Sequence, residues 1–156
     1  VFYSIAQSEQ SHMDAVGQLL DKYGIDDPIG DDTVGEFTNP DLQDLYGKLV
    51  SNTTLEDFDL EEGGLVSELA GFRVGAFIEE YDILDIQDAI DETTHGDIEN
   101  VYENLLRGSR NHLRSFVAQI ESATNEDYEP VLMDDALYQE IISADQETRN
   151  GRRNGR

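Results

Sequence analysis

The first helical stretch of the chain, residues 5–16, reads IAQSEQSHMDAV and carries a Glu-x-x-His pair. Its apolar positions recur at the spacing of one helix face, which predicts an amphipathic helix from about Phe2 to Tyr23. Because residues i and i+3 share a face, Glu9 and His12 can converge on one point. Helical bundles that hold two iron or manganese ions build their sites from such inward pairs. The plainer interpretation is a half-exposed glutamate and a hydrogen-bonded histidine at the edge of the core.

The composition limits the class of protein. The chain has 156 residues, of which 38% are hydrophobic, and this length suffices for one domain with its own core. The sequence contains no cysteine, which excludes disulfides, thiolate metal sites and cysteine nucleophiles. No apolar run is long enough for a transmembrane segment, and no targeting peptide is visible. The cytoplasm and the cell surface both remain open as compartments.

The net charge is −25, from 35 acidic and 10 basic residues. Self-repulsion of this size destabilises a compact chain at low salt, whereas at molar salt the Debye length falls to about 3 Å. The charge therefore indicates a protein from a high-salt environment, with a protein that binds cations or basic partners as the alternative. The same charge argues against nucleic acid as a partner, because phosphates would be repelled.

Helical periodicity and capping signals predict an all-α chain. Gly24 is placed to end the first helix in a left-handed conformation. Four further helices are predicted: a short one capped by Asn39 and starting at Pro40, long ones over Leu65–Ile90 and Ile98–Ala123 (the latter capped by Asp97), and a short one starting at Asp134.

Antiparallel helices with short connections form a bundle, and a four-helix bundle needs one more long helix than these three. We expect that first bundle helix to be absent upstream of Val1 or supplied from elsewhere. Residues 1–145 are predicted to form a single domain, and residues 146–156 a polar, basic tail.

Each of the three long helices carries metal-binding residue types on its apolar face. They are Glu9 and His12 on the first, Glu79 with Asp82 at i+3 on the third, and His112 on the fourth. Cores rarely bury glutamate without a partner, and oxygen and imidazole ligands suit iron, manganese or zinc. Carboxylates that can bridge two ions favour a two-metal iron or manganese site over a closed zinc site. These five residues are the predicted metal ligands.

Several charged neighbours compete with this set. Glu80 lies on a less apolar line than Glu79, so we place it outside the ligand shell. Arg110 and Arg114 flank His112, where they either neutralise outer carboxylates or make surface ion pairs worth about 0–1 kcal/mol each. His95 falls in a predicted turn and is expected to be solvated.

Three segments resemble the signatures of an uncharacterised ferritin-like family: IAQSEQSHMDAV at 5–16, GAFIEEYDI at 75–83 and VYENLLRGSRNHLR at 101–114. The resemblance implies a ferritin-like antiparallel four-helix bundle with a di-metal centre. Carried over, it assigns Glu9 and His12 to the second bundle helix, Glu79 to the third and His112 to the fourth. The chain departs from the pattern where Ser109 replaces a glutamate, and where the family's upstream acidic helix does not appear. The second metal then depends on Asp82 or Glu80 to replace the missing carboxylate.

Two functions follow as expectations. The first is an oxidoreductase whose iron or manganese centre oxidises Fe(II) or consumes peroxide or dioxygen. The second is a non-enzymatic helical protein, serving assembly or the cell surface, whose ionisable residues form a buried network with Arg110 as a partner. Metal ions are the expected partners, and a homo-oligomer is expected if a neighbouring chain donates the absent helix.

Overall fold

The computed structural model describes residues 1–29, 33–50, 67–145 and 147. This part of the chain contains five helices and no strand: α1 (Phe2–Tyr23), α2 (Pro40–Val50), α3 (Glu68–Glu92), α4 (Gly96–Thr124) and α5 (Asp135–Ser143). The prediction of an all-α chain with three long helices is confirmed. The predicted division between a domain and a tail at residue 145 stays a prediction, because all of 146–156 except Glu147 lies outside the described residues.

Two helix ends, at Gly24 and Asn39, follow local chemistry as predicted, and Asp134, predicted as the first residue of the last helix, caps it instead. Gly24 ends α1 in the left-handed region at φ 64°, which glycine adopts without a steric cost. The Asn39 side chain accepts a hydrogen bond from the Asp41 amide at 2.8 Å at the start of α2. The Asp134 side chain likewise accepts from the Leu137 amide at 2.9 Å at the start of α5. These caps satisfy amides that the first helical turn leaves without partners.

The predicted bounds of α3 are wrong by two to three residues. Ser67 has an extended backbone and caps α3, accepting a hydrogen bond from the Ala70 amide at 3.0 Å. The helix therefore starts at Glu68 rather than Leu65, which lies outside the described residues. It continues to Glu92, and Thr93, which has an extended backbone, ends it.

The predicted cap of α4 is also wrong. The helix begins at Gly96, with His95 in the capping position, so Asp97 already lies inside its first turn. The Asp97 carboxylate accepts hydrogen bonds from Lys22 and, at 3.0 Å, from the Tyr23 hydroxyl. Its long-range partners on α1 thus replace the local capping bond, and they fasten the end of α1 to the start of α4.

A tight hairpin of α3 and α4 forms the centre of the fold. Only residues 93–95 separate the two helices, so they run antiparallel. The buried core lies mainly along this pair and continues into α5: Phe72, Ala76, Ile83, Leu106, Leu113, Phe116, Val117, Ile120, Met133, Tyr138 and Ile141. On the far side of α3, Leu49 of α2 packs against Val74 and Phe77 in a second, smaller cluster.

Helix α1 lies along α4 in the opposite direction. Its first residue, Phe2, stacks on Phe72 of α3 at 5.1 Å between ring centroids and contacts Phe116 of α4 at 5.7 Å. Its last residue, Tyr23, reaches Asp97 at the other end of α4. Helix α1 is therefore antiparallel to α4 and parallel to α3, and the three long helices pack side by side.

The face of α1 is less buried than its apolar spacing predicts. None of the residues of α1, all of which are described, is fully buried, and Tyr3 is 77% exposed. The reason is that α1 packs on the α3–α4 hairpin from one side only. A fourth long helix is not found in the described part of the chain. Within that part, no helix combines the length and the apolar character needed to span a lipid bilayer.

Candidate metal centre

One residue from each long helix meets at a single level of the fold. Glu9 of α1, Glu79 of α3 and His112 of α4 each offer one ligand atom, and these atoms lie within 4.8 Å of one another. The Nδ1 atom of His112 is 2.7 Å from Oε1 of Glu9 and 3.4 Å from Oε1 of Glu79. The group lies two helical turns, about 10 Å, along α1 and α3 from the aromatic contact of Phe2 with Phe72.

Three atoms of this group are buried without a hydrogen-bond partner: Oε1 of Glu9, Oε2 of Glu79 and Nδ1 of His112. The 2.7 Å approach of His112 to Glu9 is an ion-pair distance, but it does not have hydrogen-bond geometry. An unsatisfied buried polar atom costs about 1–3 kcal/mol, so three from three separate helices are unusual in one place. A bound cation would satisfy all three, and two carboxylates with an imidazole suit iron or manganese.

His12 lies beside the group rather than within it. Its Nδ1 atom is 3.1 Å from Oε2 of Glu9, and its ring centroid is 5.9 Å from that of His112. The Glu9 carboxylate therefore lies between two imidazoles, one from its own helix and one from α4. The two residues of the Glu-x-x-His pair therefore contact each other through Oε2 of Glu9, and their role as joint ligands stays a prediction.

Asp82 also lies close to the group without joining it. Burial, together with the negative charges of Glu79 and Glu9, raises the pKa of the Asp82 carboxyl from 3.8 to about 7. Such a shift marks a carboxyl that shares its surroundings with other acids. Of the five predicted ligands, the structure brings three into contact and sets His12 and Asp82 next to them.

The charges within the group compensate one another. Burial alone would raise the pKa of Glu9, but contacts with His112 and His12 outweigh it and lower that pKa to about 2. Burial alone would lower the pKa of His112, but Glu79 and Glu9 outweigh it and raise that pKa to about 9. Burial prevails only at Glu79, whose pKa is raised despite the nearby imidazole of His112. At neutral pH the group therefore holds the Glu9 anion and the His112 cation, beside Glu79, whose pKa burial raises.

Ser109 completes the α4 side of the site. It is only 2% exposed, and its side chain contacts the Glu79 carboxyl in a way that favours the charged form. This is the position at which the ferritin-like pattern has a glutamate. This chain thus has a hydroxyl in contact with Glu79 at position 109, where the ferritin-like pattern predicts a further carboxylate.

Glu80 has a different role from the predicted one. It is fully buried at 0% exposure, and its carboxylate accepts a hydrogen bond from the Tyr128 hydroxyl at 2.7 Å. It also accepts from the backbone amides of Val131 at 2.9 Å, Leu132 at 2.7 Å and Met133 at 3.1 Å. These donors satisfy the buried charge, so Glu80 fastens the segment after α4 to α3.

Sequence analysis missed Gly108, which admits His12. A Cβ atom at position 108 would lie 2.6 Å from Nε2 of His12, so only a glycine leaves room for the imidazole against α4. The signal lies in the sequence, because Gly108 precedes His112 by four residues and therefore shares its helix face.

The two arginines beside His112 do not serve the site. Arg110 and Arg114 both bind the carboxylate of Glu147, at 2.8 Å and 3.3 Å, so of the two predicted roles they form ion pairs and do not neutralise carboxylates around the centre. The reason is that residues 110 and 114 project from α4 on the side opposite residue 112. His95 is exposed as predicted, with its ring edge against Tyr23 at 5.6 Å between centroids.

Comparisons with known proteins place the chain in a family. The profile of the family described as "Uncharacterized protein domain (DUF2202)" matches residues 1–145. Uncharacterized protein MJ0754 of Methanocaldococcus jannaschii is 44% identical over 147 residues, which cover 94% of this chain and 73% of that protein. The crystal structure of hypothetical protein MJ0754 from Methanococcus jannaschii superposes with a TM-score of 0.80 at 44% identity, covering 94% of this chain and 77% of that chain. The chain therefore belongs to the DUF2202 family.

Proposed function

We propose that the chain binds iron or manganese between its three long helices, with Glu9, Glu79 and His112 as ligands. The observation that supports this most strongly is the convergence of three buried atoms without hydrogen-bond partners. Removing such atoms from water is unfavourable unless something else satisfies them. Two carboxylates and one imidazole form a donor set that these metals accept.

His12 and Asp82 supply the ligands for a second ion in this proposal. Glu9 would be shared between the two positions, because Oε1 faces His112 while Oε2 faces His12. Burial, and then the negative charges of Glu79 and Glu9, raise the pKa of Asp82, and a second divalent cation would relieve the part that is due to repulsion. Three carboxylates and two imidazoles match the donor types of di-metal centres in helical bundles.

The proposed activity is that of an oxidoreductase acting on Fe(II), peroxide or dioxygen. Bound iron or manganese would supply the one-electron redox chemistry. The chain would hold the ligands in place: Ser109 contacts Glu79, and Gly108 leaves room for His12. His112 retains its proton at neutral pH, and this proton would leave when the metal binds.

We further infer a ferritin-like four-helix bundle in which a neighbouring copy provides the fourth long helix. Helix α1 has no fully buried residue, and exposed Phe2, Tyr3 and Met13 lie along it, so the proposed helix would cover apolar surface. Association would depend on salt, because each copy carries a net charge of −25. A monodisperse, cooperatively folding monomer at molar salt would contradict this inference.

A non-enzymatic role is the second candidate, and one observation favours it. Glu9 lies between the imidazoles of His12 and His112, so these three residues already form a charged network without a metal. The role of Arg110 expected in that network is excluded, since Arg110 binds Glu147. The network would then stabilise an assembly or a cell-surface structure.

Metal analysis of protein purified without chelator separates the two candidates. We expect about one or two iron or manganese ions per chain, lost in Glu9→Ala, reduced in His12→Ala and kept in the exposed control Glu99→Ala. Fewer than about one transition metal ion per ten chains, with any activity intact in Glu9→Ala and His12→Ala, would contradict the metal centre and favour the non-enzymatic role.

A further inference from the structure

The inference concerns a second polar site, on the side of α4 opposite the metal centre. Arg110 donates two parallel hydrogen bonds to the carboxylate of Glu147, from Nε at 2.8 Å and from Nη2 at 2.9 Å. Arg114 adds a third from Nη2 at 3.3 Å. A guanidinium that binds both oxygens of a carboxylate forms the strongest and most specific type of charged hydrogen bond.

The backbone of Glu147 is recognised as well as its side chain. The Asn111 amide donates to the carbonyl oxygen of Glu147 at 2.9 Å and accepts from its amide nitrogen at 3.0 Å. A side-chain amide that pairs with both backbone groups of one residue imitates a neighbouring β-strand, as in strand-addition recognition of peptides. The side chain of Asn111 therefore holds both backbone groups of Glu147.

The binding residues are themselves held in place. Nη1 of Arg114 donates to Oδ1 of Asn111 at 2.8 Å, and Nε of Arg114 donates to the carbonyl oxygen of Ile141 at 2.8 Å. The Arg114 side chain is only 10% exposed, and those of Arg110 and Glu147 are 29% and 28% exposed. Such a preorganised, half-buried arrangement differs from the exposed ion pairs that contribute little.

Basic residues are scarce in this chain, yet two of them bind one glutamate. The sequence has 10 basic residues for 35 acidic ones, yet two guanidinium groups bind the same carboxylate. Most acids of this surface have no comparable partner among the described residues. Two cations on one glutamate indicate selection of that residue rather than general neutralisation of the surface.

We propose that Arg110, Asn111 and Arg114 form a peptide clamp that recognises a glutamate residue by its side chain and its backbone. Glu147 occupies the clamp within its own chain, and the same segment of a second copy can occupy it in exchange. The clamp recognises the side chain by its carboxylate and the backbone through Asn111, so it excludes glutamine at the same position. The proposal is independent of the metal centre, which lies on the opposite side of α4.

The test uses the full-length chain carrying Glu147→Ala, which vacates the clamp. The probe is a fluorescein-labelled synthetic peptide of residues 144–150, ADQETRN, followed by fluorescence anisotropy at molar salt. We expect saturable binding to Glu147→Ala and at least about tenfold weaker binding to the unsubstituted chain, whose own segment competes at an effective concentration of about millimolar. A peptide with glutamine at the Glu147 position should bind at least about tenfold more weakly, because the charged fork is lost.

Paired variants identify the clamp residues. Adding Arg110→Ala to Glu147→Ala should abolish binding, whereas adding Arg107→Ala should not, because Arg107 bonds Asn104 on the same helix. Arg110→Lys keeps the positive charge and the helix but cannot make the two parallel hydrogen bonds of a guanidinium. It replaces the alanine variant as the test if that variant does not fold. The proposal is overturned by an absence of saturable binding to Glu147→Ala, by equal affinity for the two peptides, or by affinity unchanged in Arg110→Lys.

Discussion

Gly108 of α4 and His12 of α1 are in direct contact, so that the backbone of one helix supports the imidazole of the other. A Cβ atom on Gly108 would lie 2.6 Å from Nε2 of His12, well inside van der Waals contact. The opposite side of the same imidazole is held by Oε2 of Glu9 at 3.1 Å. The absence of a side chain at position 108 therefore sets the position of His12, and through it the orientation of Glu9.

Gly108→Ala should weaken metal binding and destabilise the fold. Alanine is ordinarily better than glycine inside a helix by about 0.5–1 kcal/mol, but here the methyl group must displace His12, at about 1–3 kcal/mol. We expect a net loss of stability in urea unfolding and about tenfold weaker metal affinity. Gly17→Ala on α1 is the matched control, because a Cβ there meets nothing within 4 Å. Equal stabilisation of both variants would contradict the contact.

Asp82→Asn should change how stability depends on pH. The pKa of Asp82 is about 7 in the folded chain against an ordinary 3.8, so between these values the folded chain binds more protons than the unfolded chain. The free energy of unfolding of the metal-free protein should therefore fall as pH rises through this window. Asp82→Asn should remove the part of this decrease that is due to Asp82. At pH 8 its free energy of unfolding should exceed that of the unsubstituted chain by roughly 1–2 kcal/mol, after allowance for partial exposure.

Chemical denaturation at several pH values measures this effect, with the exposed Asp88→Asn of the same helix as the control. The informative quantity is the difference between Asp82→Asn and the unsubstituted chain. A difference that stays constant between pH 4 and pH 8 would show that Asp82 titrates normally.

Metal binding should release protons and strengthen as pH rises. His112 has a pKa raised to about 9 by Glu79 and Glu9 acting against burial, so it is charged at neutral pH and must lose its proton to bind a metal. Calorimetric titration with Mn²⁺ in two buffers of different ionisation enthalpy should give a release of about one proton per ion or more at pH 7. Identical heats in the two buffers would mean that His112 does not become a ligand.

Glu80→Ala should unfold the protein far more easily than the removal of an exposed acid. The carboxylate of Glu80 satisfies the Tyr128 hydroxyl and the amides of Val131, Leu132 and Met133, and alanine deprives these donors, of which the Met133 amide is buried, of that shared partner. We expect a loss of about 3–5 kcal/mol in urea unfolding. Tyr128→Phe, which removes one donor, should cost only about 0.5–1.5 kcal/mol. Equal losses in the two variants would argue against the shared carboxylate.

Local signals predicted helix ends well and long-range partners poorly. Gly24, Asn39 and Asp134 act within their own turns, so their roles are legible in the sequence. Asp97 has the same capping chemistry, but Lys22 and Tyr23 bind it from another helix. The burial of Glu80 was missed for the same reason, since its donors lie 48 to 53 residues further along the chain.

Helical periodicity predicted the faces of the site but not its contacts. The spacing of apolar residues places Glu9, Glu79 and His112 on inward faces. This holds for any shift of one helix along another. Which atoms meet depends on how far α1 slides along α4, and this is fixed by distant contacts such as Phe2 on Phe116. The same displacement leaves His12 and Asp82 beside the group, a distinction that no spacing rule could supply.

The most direct test of the metal centre is a titration of the metal-free protein with Mn²⁺ in molar salt, which screens the acidic surface. Loss of the electron paramagnetic resonance signal of free Mn²⁺ counts the bound ions. Saturable binding of one or two ions per chain is predicted, weakened at least about tenfold in Glu79→Gln and unchanged in the control Asp88→Asn. If the unsubstituted chain leaves Mn²⁺ free, or if Glu79→Gln binds it equally well, Glu9, Glu79 and His112 do not form a metal centre.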